Sequence, residues 1–282
     1  MKTQRSKFYR FLVSLTVILS LLGCSNIFKD ASKQDSDDAL YEDALKLMNA
    51  QDWDEALEKM DSLSSSYQTR TDVLETWAGI YAGKCGLDFI TYFDNLGSAS
   101  LTGSTIFEYF MNAFTGVIVN PAACYSAQLK IEAISTSSAA RTSGQNLFMA
   151  ILGMVKIGAY LRDAADIDGT GNLGDGTIDA GYSSCTTIPD ASVKQVITGL
   201  GLIFDNLTAL TNAVSGSSIT DALDDIDTVC GASCQKTDPA LISAADVTLF
   251  RQILATGPSN PNAGQDLGID DACMTVIPLC CP

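Results

Sequence analysis

Oxygen-bearing side chains alternate with glycine in one short stretch of this sequence: Asp166, Asp168, Thr170, Asn172 and Asp175, interleaved with Gly169, Gly171 and Gly174. Alternating donors on a tight loop can converge on a single hard cation, and calcium asks for roughly six to eight oxygens. With Asp166 as first ligand, donors fall at the first, third and fifth positions. Gly171 then takes the sharp turn at the sixth, Asn172 offers its backbone carbonyl at the seventh, and apolar Leu173 follows. Starting instead at Asp168 or Asp175 loses the turn glycine. The same run holds a formal GxGxxG at Gly169, Gly171 and Gly174. A dinucleotide site needs a strand before that motif and a helix after it, whereas a helical pattern precedes it here. The chemistry expected is calcium ligation within loop 166–179.

This spacing resembles the calcium loop of EF-hand proteins. The resemblance implies a bidentate Glu at the twelfth position, where this chain has Thr177, so Asp175 or Asp179 would have to close the shell differently. The plain alternative is a polar, glycine-rich connection. A second acidic group, Asp221, Asp224, Asp225 and Asp227, has the spacing of a solvated helix face and is given no role.

Catalytic machinery is harder to find. The chain contains no histidine, which removes Ser-His-Asp and Cys-His pairs, HExxH zinc chemistry and imidazole proton relays. Ser-Lys chemistry or a carboxylate pair would remain. Ser233 and Lys236 form an SxxK, but in a cysteine-bearing connection without the SDN or KTG partners that such chemistry needs. The expectation is a protein that is not an enzyme.

Nine cysteines are present. Cys24 stands apart, and Cys85, Cys124, Cys185, Cys230, Cys234, Cys273, Cys280 and Cys281 form an even set, as expected of a disulfide framework in an exported chain. Their connectivity is open, with two local constraints. Neighbouring Cys280 and Cys281 are too close to pair comfortably with each other and are expected to staple the C-terminal tail to the body. Cys230 and Cys234 are spaced for a local bridge. Zinc is the rival use of such cysteines, disfavoured without histidine and in an oxidising compartment.

Cys24 follows a basic opening with Lys2, Arg5, Lys7 and Arg10 and an apolar run from Phe11 to Leu22, too short to span a bilayer and suited to a processed leader. Leu21, Leu22, Gly23 and Cys24 resemble the lipobox of bacterial lipoproteins. The resemblance implies cleavage before Cys24 and diacylglycerol on its sulfur, with enough acyl chains for stable anchoring in the bilayer. Ser25 follows, not the Asp of inner-membrane retention, so the outer membrane of the cell envelope is favoured. Residues 24–38, with Lys29, Asp30, Lys33 and Asp35, read as a polar tether.

The elements that must carry these residues are helical almost throughout. Leu40, Ala44, Leu45, Leu47 and Met48 make one apolar face, and Trp53, Ala56, Leu57, Met60 and Leu63 make another, with a break at 49–52. This hairpin resembles a tetratricopeptide repeat, whose period of roughly 34 residues carries Leu40 to Leu74, Ala44 to Ala78 and Leu47 to Tyr81. Ala44 and Ala78 would let paired helices approach. Trp53 maps onto Leu87, but Ala56 maps onto Ile90, and the Gly and Pro of the motif are missing; an ordinary helical hairpin is the alternative. Helices are further expected over 105–119, 122–134, 145–163, 190–214 with Asp190 as cap, and 238–254 with Asp238 as cap and Pro239 in the first turn. The predicted fold is all-α: helical hairpins stacked into an array or bundle, ending in an irregular, disulfide-stapled tail. Its segments are a leader at 1–23, a tether at 24–38, a repeat-like region at 39–96, a helical body at 97–256 and a cysteine-rich tail at 257–282.

The formal net charge of −16 repels nucleic acid and suits cations or basic partners. Taken together, the sequence points to a lipid-anchored envelope scaffold that binds a protein or peptide. A calcium-binding or ligand-carrying envelope protein is the alternative, and an enzyme using carboxylates or Ser-Lys the third reading.

Overall fold

A computed structural model describes residues 35–98, 105–167, 173–209, 217–256, 267–270 and 281. Cys24 and the leader, Asp168, Thr170, Asn172, Cys273 and Cys280 lie outside these residues. The described chain is all-helical, and its helices pack side by side into an array.

The first helices are α1 (Asp37–Asn49), α2 (Trp53–Asp61), the single turn α3 (Ser65–Gln68) and α4 (Thr71–Cys85). Ser36 caps α1 by accepting from the Ala39 N–H, and Asp37 and Asp38 place negative charge in the first turn, where the helix dipole favours it. The break expected at 49–52 is present: Gln51 adopts φ +62° and the Asp52 N–H returns to the Leu47 carbonyl. α1 and α4 begin at Asp37 and Thr71, one repeat period apart. Ala44 and Ala78 are both fully buried. Tyr41 reaches Thr76 across the pair, hydroxyl to hydroxyl at 2.7 Å.

Two hydrophobic clusters share α4. Val73, Trp77 and Ile80 close a small core with Ala44, Ala56, Leu57 and Met60 of α1 and α2. Ala78, Ala82 and Cys85 belong to the large core built from the rest of the molecule. One helix therefore ties the N-terminal hairpin to the body, and Lys84 adds an ion pair with Asp54 of α2.

The body comprises α5 (Phe89–Ser98), α6 (Ile106–Asn112), α7 (Pro121–Glu132), α8 (Ser143–Ala165), α9 (Asp190–Asp205), α10 (Ser217–Cys230) and α11 (Ala244–Leu254). α8 is buried on every side from Met149 to Ala159, as a helix apolar all round but for Lys156 must be, and it forms the axis of the array. α6, α7 and α9 pack around it. Glycines let them come close: a side chain at Gly153 would fall 2.5 Å from the Gly199 carbonyl oxygen, and one at Gly158 would collide with the Phe110 carbonyl. Among the described residues no helix is long and apolar enough to cross a membrane.

Several helix ends differ from expectation, each for a local reason. The helix expected over 105–119 stops at Asn112, because the Gly116 N–H is taken by the Leu173 carbonyl and the chain turns there with φ +75°. The helix expected over 190–214 is interrupted after Asp205, where the Asn206 amide folds back on the Leu202 carbonyl and Arg141 grips Asp205 and Asn206; residues 207–209 are helical again, and 210–214 lie outside the described residues. Pro189, not Asp190, occupies its cap position, and Asp190 instead receives the Arg251 guanidinium from the first turn. Asp238 does cap, but only the short 3-10 turn Pro239–Leu241. α11 starts later, with Ser243 and Asp246 in a reciprocal capping box.

Three disulfides lie within the described residues. Cys85–Cys124 joins the end of α4 to α7, Cys230–Cys234 is the local bridge after α10, and Cys185–Cys281 fastens the tail to the body. Arg251 reinforces that last attachment by donating to the Ser184, Cys185 and Ile188 carbonyls.

Candidate functional site

The acidic loop begins where α8 ends. Asp166 is almost fully buried, and its carboxylate closes the loop on its own backbone, Oδ1 accepting from the Asp175 N–H and Oδ2 from the Gly176 N–H, both at 3.0 Å. Gly174 must be glycine: its φ is +65°, and a side chain there would sit 2.7 Å from Asp166 Oδ2 and 2.9 Å from Arg162 Nε. Asp175 is exposed and turns its carboxylate onto the Thr177 N–H at 2.8 Å. Of the five expected donors, then, Asp166 and Asp175 are described, and they aim at different backbone groups. Asp179 completes the closure: its N–H returns to the Ala165 carbonyl, its Oδ2 accepts from the Ile167 N–H at 2.8 Å, and its Oδ1 is buried without a hydrogen-bond partner. Among the described residues no three His, Cys, Asp or Glu side chains gather at metal-binding distance.

The other motif residues have structural partners. Lys236 of the SxxK donates to Asp246 Oδ2 at 2.6 Å. Burial pushes the Asp246 carboxyl up, but hydrogen bonds from Lys236, Ser233 and Ser243 outweigh it and hold this group well below the usual carboxylate range. Asp224 and Asp225 lie exposed on α10, as a solvated face requires.

A constellation that the sequence reading did not single out lies between α7, α8 and the segment after Cys234. Lys156 sits at the middle of α8, fully buried, and its Nζ donates to Gln128 Oε1 and Thr198 Oγ1, each at 2.7 Å. Gln128, also fully buried, spends both amide hydrogens, one on Glu132 Oε1 at 2.7 Å and one on the Thr237 carbonyl at 2.9 Å. The result is a continuous relay from the core to Glu132. Burial lowers the Lys156 ammonium to about 7, opposed by the nearby Glu132 carboxylate. Burial likewise raises Glu132, against the Gln128 hydrogen bond and the positive charges of Lys156 and Arg141, with Asp238 adding to the rise.

Glu132 opens onto a cavity of about 320 Å³. Helical spacing puts Tyr125, Leu129 and Glu132 of α7 along one wall, and Thr136, Thr237 and Asp238 supply the other. Lys156 does not line it, because Gln128 stands between. A second cavity of about 260 Å³, edged by Glu75, Ile131 and Phe148, lies at the start of α8, where Gln145 donates to Glu75 at 2.8 Å. The one sequence signal for the relay is a lone lysine inside the otherwise apolar run of α8.

Comparison with protein families, with curated proteins and with solved structures gives no match, leaving geometry as the basis for a functional reading.

Proposed function

We propose that this chain is a bacterial envelope lipoprotein, anchored through acylated Cys24, whose helical array binds a protein or peptide segment without catalysing a reaction. The observation that carries the scaffold reading is the register of α1 and α4, which start one repeat period apart with a fully buried alanine at the same position in each. Helical pairs stacked in this way present grooves to partner segments. Three disulfides agree with an oxidising compartment and so with export. Mass spectrometry of the mature N-terminus tests the anchor: an acylated Cys24 is expected, and Cys24→Ser should release the protein from membranes. An unmodified Cys24 would overturn it. Cross-linking in intact envelopes tests the scaffold, with a specific partner expected and its retention by a correctly helical Ala78→Leu variant counting against the repeat face.

One observation favours a second reading, calcium in loop 166–179. The buried, unpartnered Asp179 Oδ1 is an acceptor in search of a donor or cation, next to a loop already closed by Asp166. Calorimetry with calcium on the full chain is expected to give binding that Asp179→Asn weakens. No heat at millimolar calcium would remove this reading.

A further inference from the structure

The cavity beside Glu132 has an unusual balance of donors and acceptors. Both hydrogens of the Gln128 amide are committed, one to Glu132 and one to the Thr237 carbonyl. The Lys156 ammonium is committed behind Gln128, and the Arg141 guanidinium is held by Asp205, Asn206 and Asn146. Among the described residues, no cationic donor therefore lines the cavity. Acceptors do: Glu132 and Asp238 each spend one carboxylate oxygen within the protein, on the Gln128 amide and the Ala240 N–H, and each has a second. The Tyr125 and Thr136 hydroxyls can accept as well, and Leu129 supplies an apolar surface. The volume falls at the lower end of what small-molecule sites occupy.

We infer that this cavity is a binding site for a small organic cation, a primary amine or guanidinium carried on a short aliphatic chain. Its charged end pairs with Glu132 and Asp238 while its methylenes lie on Leu129. The rigid placement of Glu132 by the fully buried Gln128, itself pinned by Lys156 and Thr237, makes this a preorganised acceptor rather than a surface acid among many. An anionic ligand would meet the Glu132 and Asp238 carboxylates with only neutral hydroxyl donors to offset them, and the net charge of −16 favours approach of cations over any distance that salt leaves unscreened. The inference is independent of the scaffold reading, since it concerns a different ligand.

The test is calorimetry on the full chain in about 0.15 M salt, which suppresses general attraction to an acidic surface. The probes are 1,4-diaminobutane and agmatine, with 1,4-butanediol and glutarate as uncharged and anionic counterparts. Saturable binding of the cations alone is expected, weakened about tenfold or more by Glu132→Gln, since one charged hydrogen-bond partner is lost. Leu129→Trp, at an exposed position on the cavity wall, should abolish binding by filling the space without replacing any member of the relay. Equal binding of the diol, binding unchanged in both variants, or no binding of either cation would each overturn the inference.

Discussion

Burial of Lys156 takes an ammonium out of water against neutral partners, the Gln128 and Thr198 oxygens and the face of the Tyr125 ring 5.0 Å away. Its value falls from the ordinary 10.5 to about 7 through burial. Below pH 7 both the folded and the unfolded chain hold the proton, and the folded chain bears the full burial cost. Between 7 and 10.5 only the unfolded chain still binds it, so stability rises with pH, by at most about 1.4 kcal/mol per unit. In most proteins histidines would blur this window, but this chain has none. Unfolding by denaturant between pH 6 and 9 should therefore show a rising free energy, up to about 3 kcal/mol over the interval, and Lys156→Met should flatten it. A wild-type profile that is flat or falling would refute the assignment. Burial also raises the Glu132 carboxyl, against its Gln128 hydrogen bond and the Lys156 charge, so the Lys156→Met comparison is what isolates the lysine's share of the profile.

At the level of elements, what could be read from the sequence was whatever depends on near neighbours along the chain. The apolar periods of α7 and α8 are local signals, and those helices stand within about two residues of expectation. The hairpin turn at 49–52 was legible for the same reason. The ends that moved are those set by distant partners: Asn112 by the loop carbonyls at Leu173 and Gly174, Asp205 by Arg141, Asp190 by Arg251. The candidate sites divide in the same way. Spacing alone exposed the alternating donors from Asp166, though not that Asp166 would spend both oxygens on the Asp175 and Gly176 amides. The relay was invisible because Gln128 meets Lys156 across 28 residues and Thr237 across 109, and no one-dimensional pattern marks such a meeting. A lone lysine in an apolar helix indicates a buried charge without naming its partner.

Taken as a whole, the molecule is an array of helices cross-linked, among the described residues, by three disulfides. Cys185–Cys281 spans 96 residues and Cys85–Cys124 spans 39, whereas Cys230–Cys234 spans 4. On loop-closure entropy the two long bridges stabilise by about 4 to 5 kcal/mol each and the short one by about 2. The long bridges secure different parts: one holds α4 against α7, beneath the N-terminal hairpin, and the other holds the tail against the segment before α9. Cys85→Ala paired with Cys124→Ala, or Cys185→Ala paired with Cys281→Ala, should therefore lower the melting temperature far more than the corresponding double substitution at Cys230 and Cys234. Parity extends the argument to the remaining thiols. With Cys24 acylated as proposed, parity leaves Cys273 and Cys280, which lie outside the described residues, and the exported chain is expected to link them. Alkylation of the denatured, unreduced protein should then label no cysteine, and a peptide map should recover 273 bridged to 280. Two labelled thiols at those positions would break the parity argument, and labelling at Cys24 would break the anchor with it, because an unacylated Cys24 leaves an odd sulfur in an oxidising compartment.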